Sequence, residues 1–114
     1  MKVKKEEKCE LVAAMGIIGN KWNLLITWHL RDHKLRFTEL QKRMYNVNPK
    51  TITKHLRDLE NYKIIEREVF PEVPPRVEYS LTESGTALIP VLESITDWAS
   101  EYMGFDLEKY KNSS

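Results

Sequence analysis

One stretch of the chain favours β-structure, and it has the form of a hairpin with a stiff tip. Two runs rich in β-branched and aromatic residues, residues 64–70 and 76–81, flank Pro-Glu-Val-Pro-Pro at residues 71–75. The second run alternates strictly, which is typical of a strand with one buried face. Prolines fix φ and lack a backbone donor, so the tip is rigid and cannot continue the sheet. We therefore predict a chain of helices built around one short hairpin.

The segment directly before this hairpin predicts a helix with two different faces. Asn48 is a favoured N-cap residue, and Pro49 fits the first turn, where its missing N–H has no partner. At about 100° per residue, Ile52, Leu56 and Leu59 fall on one stripe. The opposite side carries the cationic and hydrogen-bonding residues Lys50, Thr53, Lys54, Arg57 and Asn61. One face is expected to pack, and the other is free to bind.

Four further helices are predicted from apolar residues at helical spacing. They cover residues 9–18, 21 to about 31, 37–44 and about 83–103. Asn20 and Thr82 are expected to cap the second and the last of them, and Thr38 with Gln41 fits a capping box for the third. Pro90 lies inside the last pattern, so a kink or break is predicted near residues 86–89.

The order of these elements predicts the fold class. A short connector joins the third helix to the Asn48 helix, as in a helix-turn-helix, and the hairpin follows as a wing. We expect a mainly α protein with a small β-hairpin, a winged helix-turn-helix. At 114 residues the chain has the length of one domain, residues 1–114, with charged residues 1–8 frayed and a polar tail from residue 106.

Positive charge is concentrated on the helix-turn-helix. The formal net charge is only +1, yet residues 41–57 contain five cations and no acid. DNA presents phosphates and base edges to such a surface, so Lys50, Thr53, Lys54 and Arg57 are candidate contacts. A solvated helix face is the alternative interpretation. Lys42 and Arg43, on the preceding helix, are expected to steer DNA through long-range attraction.

Arg76 is the candidate DNA contact of the wing. Its place beside the rigid tip favours a phosphate or the minor groove. An ion pair with Glu72 or Glu78 is the alternative, and surface pairs of that kind contribute little stability.

The last helix carries more apolar residues than a small domain needs. Because such a stripe requires a partner, the first and last helices are predicted to form the interface of a homodimer. The predicted interface residues are Leu88, Val91, Leu92, Ile95, Trp98 and Tyr102.

Several classes of site are not indicated by the sequence. Cys9 is the single cysteine, which excludes an intrachain disulfide. No apolar run approaches the roughly 20 residues of a membrane span, and no signal-peptide pattern is present, so a cytoplasmic location is expected. His29 and His33 have a spacing that can bind metal but lack further ligands, and His55 is expected to pack at the edge of the core. No residue set suggests catalysis, a metal or a cofactor, so the chain is not expected to be an enzyme.

The sequence resembles the HxlR-type family of winged helix-turn-helix transcriptional regulators. The matching pieces are Cys9, residues 18–22, residues 36–40 and the wing block from Pro71 to Gly85. The resemblance implies a homodimeric, cytoplasmic regulator that binds double-stranded DNA. In some relatives oxidation or electrophiles at the cysteine control binding, which makes Cys9 a candidate redox switch. The chain departs from the family pattern at two places. The family often has proline after this cysteine, where Glu10 stands here. It also often has Ser-Gln near the start of the central helix, where this chain has Asn48-Pro49-Lys50, and this second difference implies a different operator.

The control of binding has several possible forms at this stage. Cys9 is either a redox switch or a buried apolar-like residue, since nearby lysines lower and nearby glutamates raise the pKa of a thiol. Alternatively, a small molecule binds at the dimer interface near Trp22, Trp28 and Trp98, or the winged helix serves protein contacts only. The operator, the target genes, the sign of regulation and the inducer are not encoded in any pattern of this chain.

Overall fold

The computed structural model describes residues 9–104, which form five helices and a three-stranded antiparallel sheet. The helices are α1 Glu10–Ile18, α2 Lys21–His29, α3 Phe37–Arg43, α4 Pro49–Asn61 and α5 Glu83–Tyr102. The strands are β1 Leu35–Arg36, β2 Ile65–Phe70 and β3 Arg76–Leu81. This is the predicted winged helix-turn-helix architecture. The frayed start and the polar tail expected from the sequence lie outside the described residues.

Helix α4 begins and ends through hydrogen bonds that local sequence dictates. The Asn48 side chain accepts from the Lys50 N–H at 2.8 Å, and Pro49 occupies the first turn, as predicted. At the other end the Ile64 N–H donates to the Leu59 carbonyl at 2.9 Å, which closes the last turn. Lys63, with φ of 62°, provides the left-handed residue that this ending requires.

The predicted caps of α2 and α5 are confirmed. The Asn20 side chain accepts from the Trp22 N–H at 2.9 Å, and the Thr82 hydroxyl accepts from the Gly85 N–H at 3.1 Å. Of the kink or break predicted near residues 86–89, the break is wrong, because α5 continues through Pro90 to Tyr102; the kink stays a prediction. Thr86 and Pro90 are both exposed, so water can hydrate the carbonyl that proline leaves unpaired.

The capping box predicted for α3 is displaced by two residues. Arg36, not Thr38, is the N-cap, and its N–H donates to Glu39 Oε1 at 2.9 Å. The reason is strand β1, which the sequence did not predict because two residues are too short to show alternation. Pairing of Leu35 with Tyr79 and of Arg36 with Glu78 keeps Arg36 extended up to the first residue of α3.

The sheet has the order β1-β3-β2, and its β2–β3 hairpin, with the tip at residues 71–75, is the wing. Arg67 and Tyr79 are direct cross-strand partners, and so are Ile65 and Leu81. Side chains alternate between the two faces of a strand, so these four share one face of the hairpin. Ile65 is buried, which identifies this face as the one turned toward the core.

The core lies between the helix-turn-helix and the base of the wing. Its central side chains come from α2, α3, α4, the strands and the residues directly next to them: Ile26, Leu30, Leu35, Leu40, Met44, Ile52, Leu56, Leu59, Ile64 and Ile65. The three apolar members from α4 are each at most 2% exposed, which confirms the predicted packed stripe. Their burial fixes which side of α4 faces outward. None of the helices between residues 9 and 104 is long and apolar enough to cross a membrane.

Candidate nucleic-acid interface

The outward side of α4 forms one continuous polar surface. The α4 outer surface is lined by Pro49, Lys50, Thr53, Lys54, Arg57, Asp58 and Asn61. Lys50, Lys54 and Arg57 are exposed and Thr53 is half-buried. The structure therefore brings together the four residues of α4 that the sequence singled out as DNA contacts, on a helix whose opposite side is anchored in the core.

The cations of the α4 outer surface differ in whether they form an ion pair. Lys54 Nζ lies 2.9 Å from Asp58 Oδ2, in an exposed pair one helical turn apart. Within residues 9–104, neither Lys50 nor Arg57 forms an ion pair. Exposed pairs of this kind are weak, so Lys54 can exchange Asp58 for a phosphate. Lys50 and Arg57 need no such exchange.

Arg43 has a structural contact that the sequence did not indicate. Its guanidinium donates to the backbone carbonyl of His29 at 3.3 Å, and so connects α3 to the end of α2. Burial, followed by the charges of Arg43 and Arg31, lowers the pKa of His29. Lys42 is exposed and remains a candidate for long-range attraction of DNA.

Arg76 is held by the wing itself. Its Nη1 lies 3.3 Å from Glu72 Oε1, its Nε lies 3.4 Å from Glu78 Oε2, and its guanidinium stacks 4.0 Å from the centre of the Phe70 ring. The Arg76 Nε–H is buried. Glu78 lies within ion-pair distance of it, but no acceptor among the described residues forms a hydrogen bond with this N–H. This is the ion-pair arrangement that the sequence left as the alternative, and a DNA contact by Arg76 stays a prediction.

A second polar groove lies between α4 and the wing. This α4–wing groove has a volume of about 250 Å³ and is lined by Thr53, Leu56, Arg57, Glu60, Arg67 and Tyr79. Sequence reasoning missed Arg67, because a charged residue in a short alternating strand looks like a solvent-facing one. The available signal was its alternation: Arg67 has the same parity as Ile65, which is buried on the core-facing side.

Cys9 is exposed at the N-cap position of α1. The backbone N–H groups of Val12 and then Leu11 favour the thiolate and lower the pKa of Cys9. The thiol caps none of the first N–H groups of α1 with a hydrogen bond, so the thiolate is favoured by attraction toward the N–H dipoles of the first turn. Of the two alternatives that the sequence left open for Cys9, the exposed position excludes the buried, apolar-like residue. Four of the charged residues that entered the sequence argument lie outside the described residues: Lys5, Glu6, Glu7 and Lys8.

The predicted dimerisation residues divide into two groups. Val91, Ile95, Trp98 and Tyr102 are between 47% and 71% exposed. Leu92 is only 6% exposed, because it lies against α2, where it lines a pocket of about 230 Å³ with Leu24, Leu25 and Trp28. Leu88 is half-buried in an apolar groove between α1 and α5. Leu92 therefore stabilises the single chain, and the others leave an apolar surface open.

The three tryptophans do not converge within the chain. Trp28 lines the pocket beside Leu92, Trp22 packs against the core, and Trp98 is exposed. Among the described residues, no group of three or more histidine, cysteine, aspartate or glutamate side chains is placed to hold a metal ion.

A helix-turn-helix with a basic outward face, followed by an antiparallel wing, defines a winged helix-turn-helix DNA-binding protein. The sequence profile of the HxlR-like helix-turn-helix family matches residues 17–106. The chain belongs to this family and is an HxlR-type transcriptional regulator. Membership of the family implies that it binds DNA.

Individual relatives agree with this assignment. An uncharacterised HTH-type transcriptional regulator of Methanothermobacter thermautotrophicus is 44% identical over 97 residues, which cover 85% of this chain and 74% of the relative. The reduced form of the regulator YodB of Bacillus subtilis superimposes with a TM-score of 0.77 at 37% identity, covering 82% of this chain and 93% of YodB. The redox regulator HypR in its oxidised form gives a TM-score of 0.75 at 36% identity, covering 82% and 96%. YodB has also been solved after diamide treatment and with a bound quinone.

Proposed function

We propose that this chain is a single-domain, cytoplasmic regulator that binds a pseudo-palindromic DNA operator as a homodimer and reads it with α4. The observation that carries the proposal is the α4 outer surface: two cations that form no ion pair with any residue from 9 to 104, and a hydroxyl, on a helix whose far side is buried in the core. Side chains of this type contact base edges in the major groove and phosphates beside it.

The homodimer is supported by exposed apolar surface on two neighbouring helices. Leu11, Val12 and Met15 of α1 are between 42% and 67% exposed. These side chains are apolar, and their exposed fractions are similar to those of the exposed apolar residues of α5. An apolar groove of about 350 Å³ lies between the two helices, lined by residues that include Ile17, Ile18, Leu88 and Val91. A second copy that buries these helices would leave both α4 helices free. Two such helices reach successive major grooves when they are about 34 Å apart.

Control through Cys9 is the second part of the proposal. The thiol is accessible, its pKa is lowered by the start of α1, and α1 supplies part of the proposed interface. Oxidation or electrophile addition at Cys9 would alter the first turn of α1 and hence the relative placement of the two α4 helices. The redox states in which YodB and HypR have been solved support this class of signal.

DNA binding is tested by gel shift and fluorescence anisotropy on the DNA upstream of the protein's own gene, compared with random DNA of equal length. We expect a preference for the upstream DNA and an affinity that falls as salt rises. Charge reversal of Lys50 and Arg57 to glutamate should abolish binding. Arg31→Glu is the matched control, since Arg31 stacks on Trp28 and lines neither the α4 outer surface nor the α4–wing groove. If the Lys50 and Arg57 variants bind as the wild type does, the domain serves protein contacts and the proposal is wrong.

Control is tested by repeating the gel shift with diamide or a quinone, for the wild type and for Cys9→Ser. Serine is a favoured N-cap residue, so this variant preserves the start of α1. We expect the wild type to lose or gain DNA affinity and the variant to be unaffected. A quinone response that persists in Cys9→Ser would instead favour the alternative, a small molecule held non-covalently in the pocket beside Trp28.

A further inference from the structure

The α4–wing groove places two guanidinium groups and two hydroxyl-bearing side chains around one small cavity. Arg57 and Thr53 come from α4, whereas Arg67 and Tyr79 come from adjacent strands of the wing. Among the described residues, neither arginine forms an ion pair. Positive charge from two separate elements thus faces a common space.

The position of Arg67 is unusual for a strand. It shares a face of the hairpin with Ile65 and Leu81, where the pattern of a half-buried strand calls for an apolar side chain. The acids of the same strand, Glu66 and Glu68, point to the opposite face, and Glu68 lies 3.9 Å from Lys34 there. Arg67 is therefore separated from the carboxylates beside it in sequence and directed toward α4.

We propose that this groove binds a phosphate of the DNA backbone, held by Arg57 from α4 and by Arg67 from the wing, with the Tyr79 hydroxyl as a further donor. The proposal rests on the proposed DNA-binding function and deepens it, because it assigns Arg57 to the backbone and adds Arg67, which no comparison or motif assigned. Guanidinium groups suit this ligand, since each can donate two parallel hydrogen bonds to phosphate oxygens.

Size and location both favour a DNA phosphate. The volume of about 250 Å³ is several times the ~30 Å³ share of one water, so a phosphate group fits together with its remaining hydration. Thr53 and Arg57 line this groove and also the α4 outer surface, so the two surfaces are continuous. A duplex whose major groove receives α4 would bring its flanking backbone to the groove between α4 and the wing.

Of the residues that the structure describes, Glu60 is the one acid that lines the groove. The lining therefore carries two guanidinium charges against one carboxylate, a net positive charge that still attracts an anion. The carboxylate works against binding, so Glu60→Gln is expected to strengthen DNA affinity while Arg67→Gln weakens it. A purely structural role of the half-buried Glu60 and the exposed Arg67 would not produce opposite changes.

The test is the salt dependence of DNA binding by the full chain, measured by fluorescence anisotropy on upstream and random duplexes. Loss of one phosphate contact reduces the slope of log affinity against log salt by about one. For Arg67→Gln we expect this reduction together with a roughly tenfold loss of affinity at low salt on both duplexes, because phosphate contacts carry no sequence information. Arg31→Gln and Glu68→Gln are the matched controls and should leave the slope unchanged. Circular dichroism verifies that each variant is folded.

Each outcome discriminates. An unchanged slope for Arg67→Gln, with normal salt-sensitive binding by the wild type, overturns the inference and leaves the proposed function intact. A loss confined to the upstream duplex makes Arg67 a base contact and overturns the phosphate assignment. Saturable binding of inorganic phosphate without DNA, abolished by Arg67→Gln, reassigns the groove to a free anion. A wild type without salt-sensitive DNA binding overturns both proposals.

Discussion

The Nδ1 atom of His55, on the DNA-facing helix α4, lies 2.9 Å from Oδ1 of Asn23 on α2, and both side chains are buried. The Asn23 amide nitrogen donates to the Ile17 carbonyl at 3.0 Å, so its oxygen is the atom that accepts. His55 must then donate through Nδ1–H, which fixes its tautomer when it is neutral. These two hydrogen bonds connect the end of α1, α2 and α4. His55 packs against the core as the sequence predicted, but it is buried, more deeply than the edge position that was expected.

The stability of the fold should fall when His55 becomes protonated. Burial, followed by the charge of Lys54, lowers its pKa from the ordinary 6.5, and Asp58 acts in the opposite direction. The folded chain therefore binds fewer protons than the unfolded chain, so this contribution to stability is complete above about 6.5 and is lost as pH falls below it. Thermal unfolding between pH 8 and pH 5 should show a decreasing Tm on the acid side.

Variants separate His55 from the other histidines. His55→Gln should flatten the pH dependence of Tm, and His29→Gln should do so as well, because burial lowers the pKa of His29 too. His33→Gln, at an exposed position, serves as the control. If the Tm of His55→Gln depends on pH as steeply as that of the wild type, the burial of His55 does not govern this titration.

A methyl group at Gly85 should destabilise the protein. A Cβ there would overlap the carbonyl oxygen of Ile64, which cannot move freely because it accepts hydrogen bonds from the Thr82 backbone and hydroxyl, both at 3.0 Å. We expect Gly85→Ala to lower the free energy of unfolding by about 1–3 kcal/mol in urea titrations. The same change at Gly16 should raise it by about 0.5–1 kcal/mol, since alanine favours a helix interior and, in the part of the chain that the structure describes, no atom beyond the adjacent residues and backbone of α1 lies within 4 Å of the added Cβ. Equal effects at the two glycines would contradict this explanation.

Lys63 adopts a conformation that glycine would adopt at lower cost. Its φ of 62° costs a residue with a Cβ about 1 kcal/mol or more. Lys63→Gly is therefore expected to stabilise the fold by about 1 kcal/mol in the same titrations. Lys63→Ala removes the charge but retains the Cβ, so it should bring no such gain. A comparable gain from alanine would show that charge, not backbone conformation, is responsible.

The exposed stripe of α5 should determine the oligomeric state. Trp98 is 57% exposed in the single chain, so Trp98→Glu leaves the fold intact but places a charge in the proposed dimer interface. Sedimentation should show a monomer, and fluorescence anisotropy should show reduced affinity for the operator. Ser100→Glu is the control, because at about 100° per residue it lies on the other side of α5. An unchanged dimer for Trp98→Glu would place the interface elsewhere.

Cys9 should react as a thiolate at lower pH in the folded chain than in the unfolded chain. The Val12 and Leu11 N–H groups that lower its pKa are in place only when α1 is formed. The rate of alkylation by iodoacetamide, followed by mass spectrometry, should therefore rise at lower pH for native protein than for protein in urea. Coincident pH profiles would show that α1 does not activate the thiol.

The helices, their caps and the wing were predictable from the sequence because their signals are local. Asn48 and Pro49 mark the start of α4, Asn20 and Thr82 mark two other helices, and alternation with prolines marks the hairpin. The prediction was wrong at two places, for two different reasons. Pairing of Leu35 with Tyr79 moved the start of α3, and solvent exposure allowed α5 to continue through Pro90.

The basic character of the candidate site was also predictable, since the spacing of Lys50, Thr53, Lys54 and Arg57 alone places them on one side of α4. Only the tertiary structure decided which charges are free. The Lys54–Asp58 pair is local to one turn of α4, whereas the folded wing decides that Arg76 is held between Glu72 and Glu78. The fold also brings Arg67 of β2 into the same groove as Arg57 of α4. Helical periodicity is a property of neighbours along the chain, whereas the approach of Arg67 to Arg57 depends on the distance between two elements, and that distance exists only once the chain has folded.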